Sequence, residues 1–283
     1  MIIYGNEIAT RIKQEIKDEV TAIAEKHDRL PCLCVILVGD DPASISYVKG
    51  KEKACEQIGF ASKMISLPKE ILEEELLQIV KECNEDDSID GILVQLPLPK
   101  HINAQNIIAN IDPAKDVDGL HPVNVAKLYQ SQDGFVPCTP QGVMQILKEA
   151  KVTLAGKHVV VVGRSHLVGS PVARLLLNEN ATVTICHSYT NDLATICASA
   201  DILVVCVGKA RMITSEYVKE GAVVIDVGVN RDDNGKLCGD VDFEQVKDKC
   251  SLITPVPKGV GPMTICMLLA NTLKAYKERV KNV

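Results

Sequence analysis

Short apolar runs alternate with amphipathic helical segments along nearly the whole chain, and that alternation restricts it to parallel sheets covered by helices on both faces. Leu33 to Val38 is apolar, partly β-branched and ended by Gly39, the pattern of a buried strand. Asp41-Pro42 then supplies an N-cap and a first-turn proline for a helix reaching about Ile58. Before it, Ile8, Ile12, Ile16, Val20 and Ile23 recur at helical spacing behind a short first strand. After it, Ser62–Leu67 reads as a strand, Glu70–Cys83 as a helix and Ile92–Leu96 as a buried strand.

From Gln95 to Pro140 the texture changes: Pro97, Pro99, Pro113, Pro122, Pro137 and Pro140 leave room only for short helices, and a loop-rich stretch of this length points to function. A helix, Gln141–Ala150, leads into a second α/β domain. Its predicted strands are Lys157–Gly163, Ala181–Cys186, Asp201–Gly208, Ala222–Val229 and Leu252–Thr254. Helices are expected near Ser170–Asn178, Asp192–Ala198, Ser215–Lys219 and Asp242–Lys249, and a last helix spans about Met263–Lys281.

With 283 residues the chain has room for two ordinary domains. A formal net charge of −6 argues against a broad phosphate-neutralising surface, so nucleic acid is not expected as a partner. No apolar run approaches the roughly 18–20 residues that cross a bilayer, and the N-terminus lacks the pattern of a signal peptide, so no membrane partner is expected. The eleven cysteines include no Cys-x-x-Cys pair and fall largely within apolar runs, which suits buried thiols in a reducing cytoplasm.

Five segments could carry chemistry. In Val159 to Gly169 a strand runs through a glycine turn into a helix, whose first N–H groups would face a pyrophosphate. Ser165 occupies the usual second glycine position, and Gly169 comes one residue late. The next strand ends in Cys186-His187-Ser188 with no acid to accept from a ribose 2′-hydroxyl, while Arg164 offers a donor fork, so a 2′-phosphate and hence NADP is favoured. A solvated loop charge is the other reading of Arg164.

Tyr47 and Lys51 stand four apart on a helix, about 6 Å along its axis, and could serve in proton transfer. Ile45, Val48, Cys55 and Ile58 suggest that the core face of this helix lies elsewhere, and a wet helix face is the competing reading. Gln95 ends an apolar strand where ligands of parallel sheets bind. Of Asp116 and Asp118, one would cap a loop and the other could accept from a ligand's amide and amino groups; His121, before Pro122, reads as structural. No run of ligands suggests a metal. Thr254 to Thr264, with three prolines and two glycines ahead of a helix, would make a stiff wall for a flat ligand or only a helix-entry turn.

Together these segments resemble the bifunctional methylenetetrahydrofolate dehydrogenase/methenyltetrahydrofolate cyclohydrolase family over essentially the whole chain. The most specific pieces are Gly91–Pro97, Lys115–Gly119, Pro137–Pro140, Val161–Gly169 and Gly259–Thr264. The resemblance implies an α/β fold of two domains with a cleft between them. One is an N-terminal folate-binding catalytic domain, 1–139, completed by a C-terminal helix, 263–283. The other is a Rossmann-like NADP-binding domain, 140–262.

It further implies Lys51, Tyr47 and Gln95 as catalytic residues. Tyr47, Gln95, Asp118, Pro257, Gly261, Pro262 and Thr264 would bind substrate, and Gly163, Arg164, Ser165, Ser188 and Val229 would bind NADP. A homodimer is also implied. One departure stands out: Lys258 replaces the first glycine of the family's Pro-Gly-Gly-Val-Gly-Pro loop, which is costly if that position needs a positive φ.

The implied chemistry is hydride transfer from 5,10-methylene-tetrahydrofolate to NADP⁺, then hydrolysis of the methenyl cation to 10-formyl-tetrahydrofolate. The first step needs alignment, and the second needs a proton to move, for which Lys51 is the candidate. A dehydrogenase without hydrolase activity and a nucleotide-binding regulator without turnover are the rival readings.

Overall fold

The computed structural model describes residues 1–26 and 29–280, which form two compact units. One comprises 11–136 with 265–283, the other 1–10 with 137–264. Lys281, assigned above to the last helix, lies outside the described residues.

The first unit is built on a three-stranded parallel sheet of β1 (Cys32–Val38), β2 (Ala61–Leu67) and β3 (Gly91–Val94), ordered β2-β1-β3. All seven residues of β1 are buried, as its central place requires. Around the sheet lie part of α1 (Gly5–Ala24), α2 (Pro42–Ile58), α3 (Glu73–Glu85), α4 (Ala104–Ala109) and α5 (Pro122–Tyr129). β3 stops two residues short of the expected Leu96. Gln95 still donates its N–H to Ile36 O at 2.8 Å, but Pro97 has no N–H to extend the ladder.

Two buried charges hold the rim of this sheet. Asp90, fully buried, takes both arms of Arg29 at 2.7 and 2.9 Å and the N–H of Cys32 at 2.9 Å. Lys115 closes the C-terminal end of α3 by donating to the carbonyls of Cys83, Asn84 and Asp86 at 3.1, 2.7 and 2.8 Å. The C-terminal part of α10 (Val260–Val280) belongs to this unit: Asn271 donates to Val117 O and Val136 O, and buried Tyr276 donates to Arg29 O.

The second unit is a five-stranded parallel sheet ordered β10-β7-β6-β4-β5. Its strands are β4 (His158–Val162), β5 (Thr182–Cys186), β6 (Ile202–Val205), β7 (Val223–Asp226) and β10 (Leu252–Ile253). α6 (Cys138–Glu149), α7 (Gly169–Asn178), α8 (Leu193–Ala198), a 3₁₀ turn at Ser215–Tyr217 and α9 (Phe243–Val246) accompany it. β4 is flanked by β5 on one side and β6 on the other, so the strand order reverses between β4 and β6. Val160, Val162, Leu203, Val205 and Val224 make the core beneath this reversal.

Residues 1–10, expected in the first domain, belong to this second unit. Ile2 bridges Ile253, Ile3 N–H donates to Ile253 O and Ile253 N–H donates to Met1 O, each bond 3.0 Å long, so the N-terminus extends the sheet edge beyond β10. A small hairpin, β8 (Asn230–Arg231) with β9 (Leu237–Cys238), was not expected; two residues per strand are too few to give an alternating pattern.

Candidate functional site

α2 begins at an Asp41 cap that accepts from Ser44 N–H at 2.8 Å and ends at Gly59 in the left-handed conformation. Its buried face is Ser44, Val48, Lys51, Ala54, Cys55 and Ile58, spaced at one helical turn with Ala54 beside Cys55. Lys51 therefore lies within the core stripe, not on a separate face, and is only 9% exposed. That corrects the expected placement: the apolar spacing leaves a gap at 51 that a lysine stem fills. Tyr47, one turn earlier, is 51% exposed.

Lys51 Nζ donates to Gln95 Oε1 at 2.8 Å. Gln95 Nε2 in turn donates to Leu96 O at 2.6 Å, which fixes the carboxamide with its oxygen toward the lysine. The structure thus brings together the buried lysine of α2 and the glutamine at the carboxyl end of β3.

Of the two aspartates in the following loop, Asp116 is the one that caps it. Asp116 is buried and accepts from the backbone of Leu120 and His121 and from Asn124 Nδ2, with burial pushing its pKa up. Asp118 is half-buried. His121 is structural: its Nδ1 accepts from Val123 N–H at 3.0 Å, so Nε2 carries the proton toward Ala109 O at 3.1 Å.

In the second unit, Gly163 has φ +125°, and a Cβ there would sit 2.4 Å from Cys206 O. A Cβ on Gly169 would sit 2.2 Å from Gly163 O, so the close return from β4 into α7 requires glycine at both positions. Ser165 Oγ accepts from Val168 N–H at 3.2 Å and Gly169 N–H at 3.5 Å at the head of α7. Arg164 and Ser188 are exposed at the ends of neighbouring strands β4 and β5, tied by Gly163 N–H to Cys186 O at 2.9 Å. The Arg164 guanidinium stands 6.0 Å from the ring centre of Tyr189, an aromatic neighbour not anticipated above. Residues 186–190 contain no acid. A glycine turn at a helix head that carries an arginine, with a serine at the end of the next strand, fits a dinucleotide bearing a 2′-phosphate.

Val229 is 48% exposed just after β7. The loop entering α10 contains a cis peptide at Val256–Pro257, with Pro257 and Gly261 exposed and Pro262 and Thr264 half-buried. Thr264 Oγ1 lies 2.9 Å from Thr139 Oγ1, which gives the Pro137–Pro140 motif a contact that sequence alone did not suggest. Lys258 has φ +84°, the conformation that suits glycine, and its carbonyl accepts from Asn6 N–H at 3.1 Å. Lys258→Gly is expected to stabilise the protein by about 1 kcal/mol, the order of the left-handed penalty less glycine's added chain entropy. Urea unfolding measures it, and a loss of stability would contradict strain at this position.

Residues 3–118 match the family described as tetrahydrofolate dehydrogenase/cyclohydrolase, catalytic domain, and residues 137–280 match its NAD(P)-binding domain. The bifunctional protein FolD of Bacillus cytotoxicus is 57% identical over 277 residues, 98% of this chain and 96% of its own length. The solved bifunctional FolD of Campylobacter jejuni has a TM-score of 0.97 at 49% identity, with 99% of each chain covered. The Trypanosoma brucei methylenetetrahydrofolate dehydrogenase-cyclohydrolase, solved with NADP cofactor and inhibitor, has a TM-score of 0.95 at 40% identity, covering 99% of this chain and 98% of its own.

Proposed function

The chain belongs to the tetrahydrofolate dehydrogenase/cyclohydrolase family, and from that premise we propose how its residues divide the chemistry. It is an NADP-dependent methylenetetrahydrofolate dehydrogenase and methenyltetrahydrofolate cyclohydrolase. The observation that carries the assignment of roles is the bond from Lys51, in the buried stripe of α2, to Gln95 at the end of β3.

NADP⁺, when bound, supplies the hydride acceptor. Arg164 and Ser188 hold its 2′-phosphate, the Gly163–Ser165 turn and the head of α7 face its pyrophosphate, and Val229 packs against it. For hydrolysis, water bonds to the methenyl carbon as Lys51 takes a proton from it. The bond from that carbon to N5 then breaks as N5 is protonated, leaving 10-formyl-tetrahydrofolate and one proton for solvent. Gln95 holds the lysine nitrogen in place, and Tyr47 lines the substrate beside it. Asp118 accepts from the pterin amide and amino groups. Pro257, Gly261, Pro262 and Thr264 are assigned to substrate as well.

The same proposal includes a homodimer and a cytoplasmic location. The eleven free thiols, ten of them buried, support a reducing compartment. Among the described residues no helix is long and apolar enough to cross a membrane.

One assay tests the whole reading: methylene-tetrahydrofolate and NADP⁺ are supplied, and NADPH and methenyl absorbance are followed together. NADPH formation without lasting methenyl accumulation is expected; accumulation at the full rate of NADPH formation would leave a dehydrogenase alone. For Arg164→Ala, the dissociation constant for NADP⁺ is expected to rise about 10- to 100-fold, as for a lost charged hydrogen bond, with NAD⁺ changed less than about twofold. Equal losses for both cofactors would refute the 2′-phosphate role.

A further inference from the structure

In a doubly wound sheet, ligands bind beyond the carboxyl ends of the strands where the strand order reverses. Here that point lies between the loops after β4 and β6. The β6 loop is held by one carboxylate. Asp240, fully buried, accepts from three successive backbone N–H groups, Val207 at 2.6 Å, Gly208 at 3.0 Å and Lys209 at 2.8 Å, and from Asn230 Nδ2 at 2.9 Å.

Because N–H and C=O point oppositely across a trans peptide, the carbonyls of Cys206, Val207 and Gly208 face away from Asp240. Cys206 O does face the β4 turn, 2.4 Å from where a Cβ on Gly163 would stand. The loop therefore presents the Cys206 carbonyl toward the reversal point and keeps those of Val207 and Gly208 unclaimed by Asp240. Asp240 is itself fixed, since its N–H donates to Asp226 Oδ1 at 3.0 Å, as does Gly228 N–H at 3.0 Å.

We infer that Asp240 is a positioning residue for the nicotinamide half of the cofactor, holding the β6 loop so that its carbonyl edge accepts from the carboxamide. The inference rests on the NADP reading above. It assigns no proton transfer to Asp240 and no contact with substrate. The adenosine half is assigned to Arg164 and Ser188, with which Asp240 shares no hydrogen bond.

The test compares NADP⁺ with adenosine 2′,5′-bisphosphate, which carries the 2′-phosphate but no nicotinamide. In Asp240→Asn, one oxygen becomes an NH₂ facing N–H donors. The dissociation constant for NADP⁺ is expected to rise at least about tenfold, with adenosine 2′,5′-bisphosphate changed less than about twofold. Asn230→Ala, which removes a single donor to Asp240, gives the same selectivity at about threefold and serves if Asp240→Asn does not fold. Unchanged NADP⁺ binding, or equal losses for both ligands, would overturn the inference. If wild type binds both ligands and Asp240→Asn binds them equally well, this inference falls and the NADP reading stands, whereas a wild-type protein that binds neither ligand removes both.

Discussion

Lys51→Met is expected to lower the rate of methenyl-tetrahydrofolate hydrolysis by about 10²- to 10⁴-fold, the range for loss of a positioned acid or base, while hydride transfer stays measurable. The asymmetry follows from the two steps. Transfer of hydride to NADP⁺ requires two reactants held in line, and no proton moves to or from a side chain. Opening of the methenyl ring requires a proton to leave water, and Lys51 is the amine that the structure buries in α2 beside Gln95 at 2.8 Å. Methionine is the informative replacement because it keeps an unbranched stem in the stripe of Val48, Cys55 and Ile58. Packing should survive, and the change should fall on chemistry. The visible result is accumulation of the methenyl species as NADPH forms. Lys51→Gln should behave alike, and full cyclohydrolase activity in either variant removes Lys51 from the mechanism.

Lys51 also marks how far the sequence could be read. Its four-residue spacing from Tyr47 is plain, yet its burial is hidden because apolar periodicity counts only apolar residues. A lysine stem filling one place in the stripe looks like a break in the pattern. The strand–helix alternation predicted the parallel sheets because β1 and β4 are buried throughout or nearly so and carry their signal in every residue. Residues 1–10 pack with the second unit although residues 3–118 match the catalytic-domain family, and the edge pairing of Ile2 with Ile253, about 250 positions apart, leaves no local trace in the sequence. Lys258 is the converse case: an expected glycine replaced by lysine pointed to a positive φ, and φ is +84° there. The Asp226–Asp240 arrangement was not legible at all. Its partners are backbone N–H groups, which every residue but proline carries, so no side-chain pattern announces them.

That arrangement also sets the second large effect. Gly239→Ala is expected to destabilise the protein by about 3 kcal/mol or more, in the range of overpacking a well-packed interior, read as a lower urea midpoint without cofactor. A Cβ at 239 would stand 1.8 Å from Asp226 Oδ2, and the carboxylate cannot step aside freely. It is buried at the end of β7 and accepts from Gly228, Asp240 and Val241 N–H groups, each at 3.0 Å. Burial, with Asp240 nearby, pushes its pKa up to about 7, so its ionised form depends on those three bonds and loses support if the clash displaces it. Gly261→Ala supplies the contrast: nothing lies within 4 Å of a Cβ there, the backbone is helical, and stability should hold or rise slightly. The cause of the loss is separable from any general effect of alanine by a double-mutant cycle with Asp226→Ala. If the overlap with the carboxylate is what costs stability, the double variant should be little less stable than Asp226→Ala alone. Full additivity would place the strain elsewhere in the 239–241 backbone and would sink the steric account.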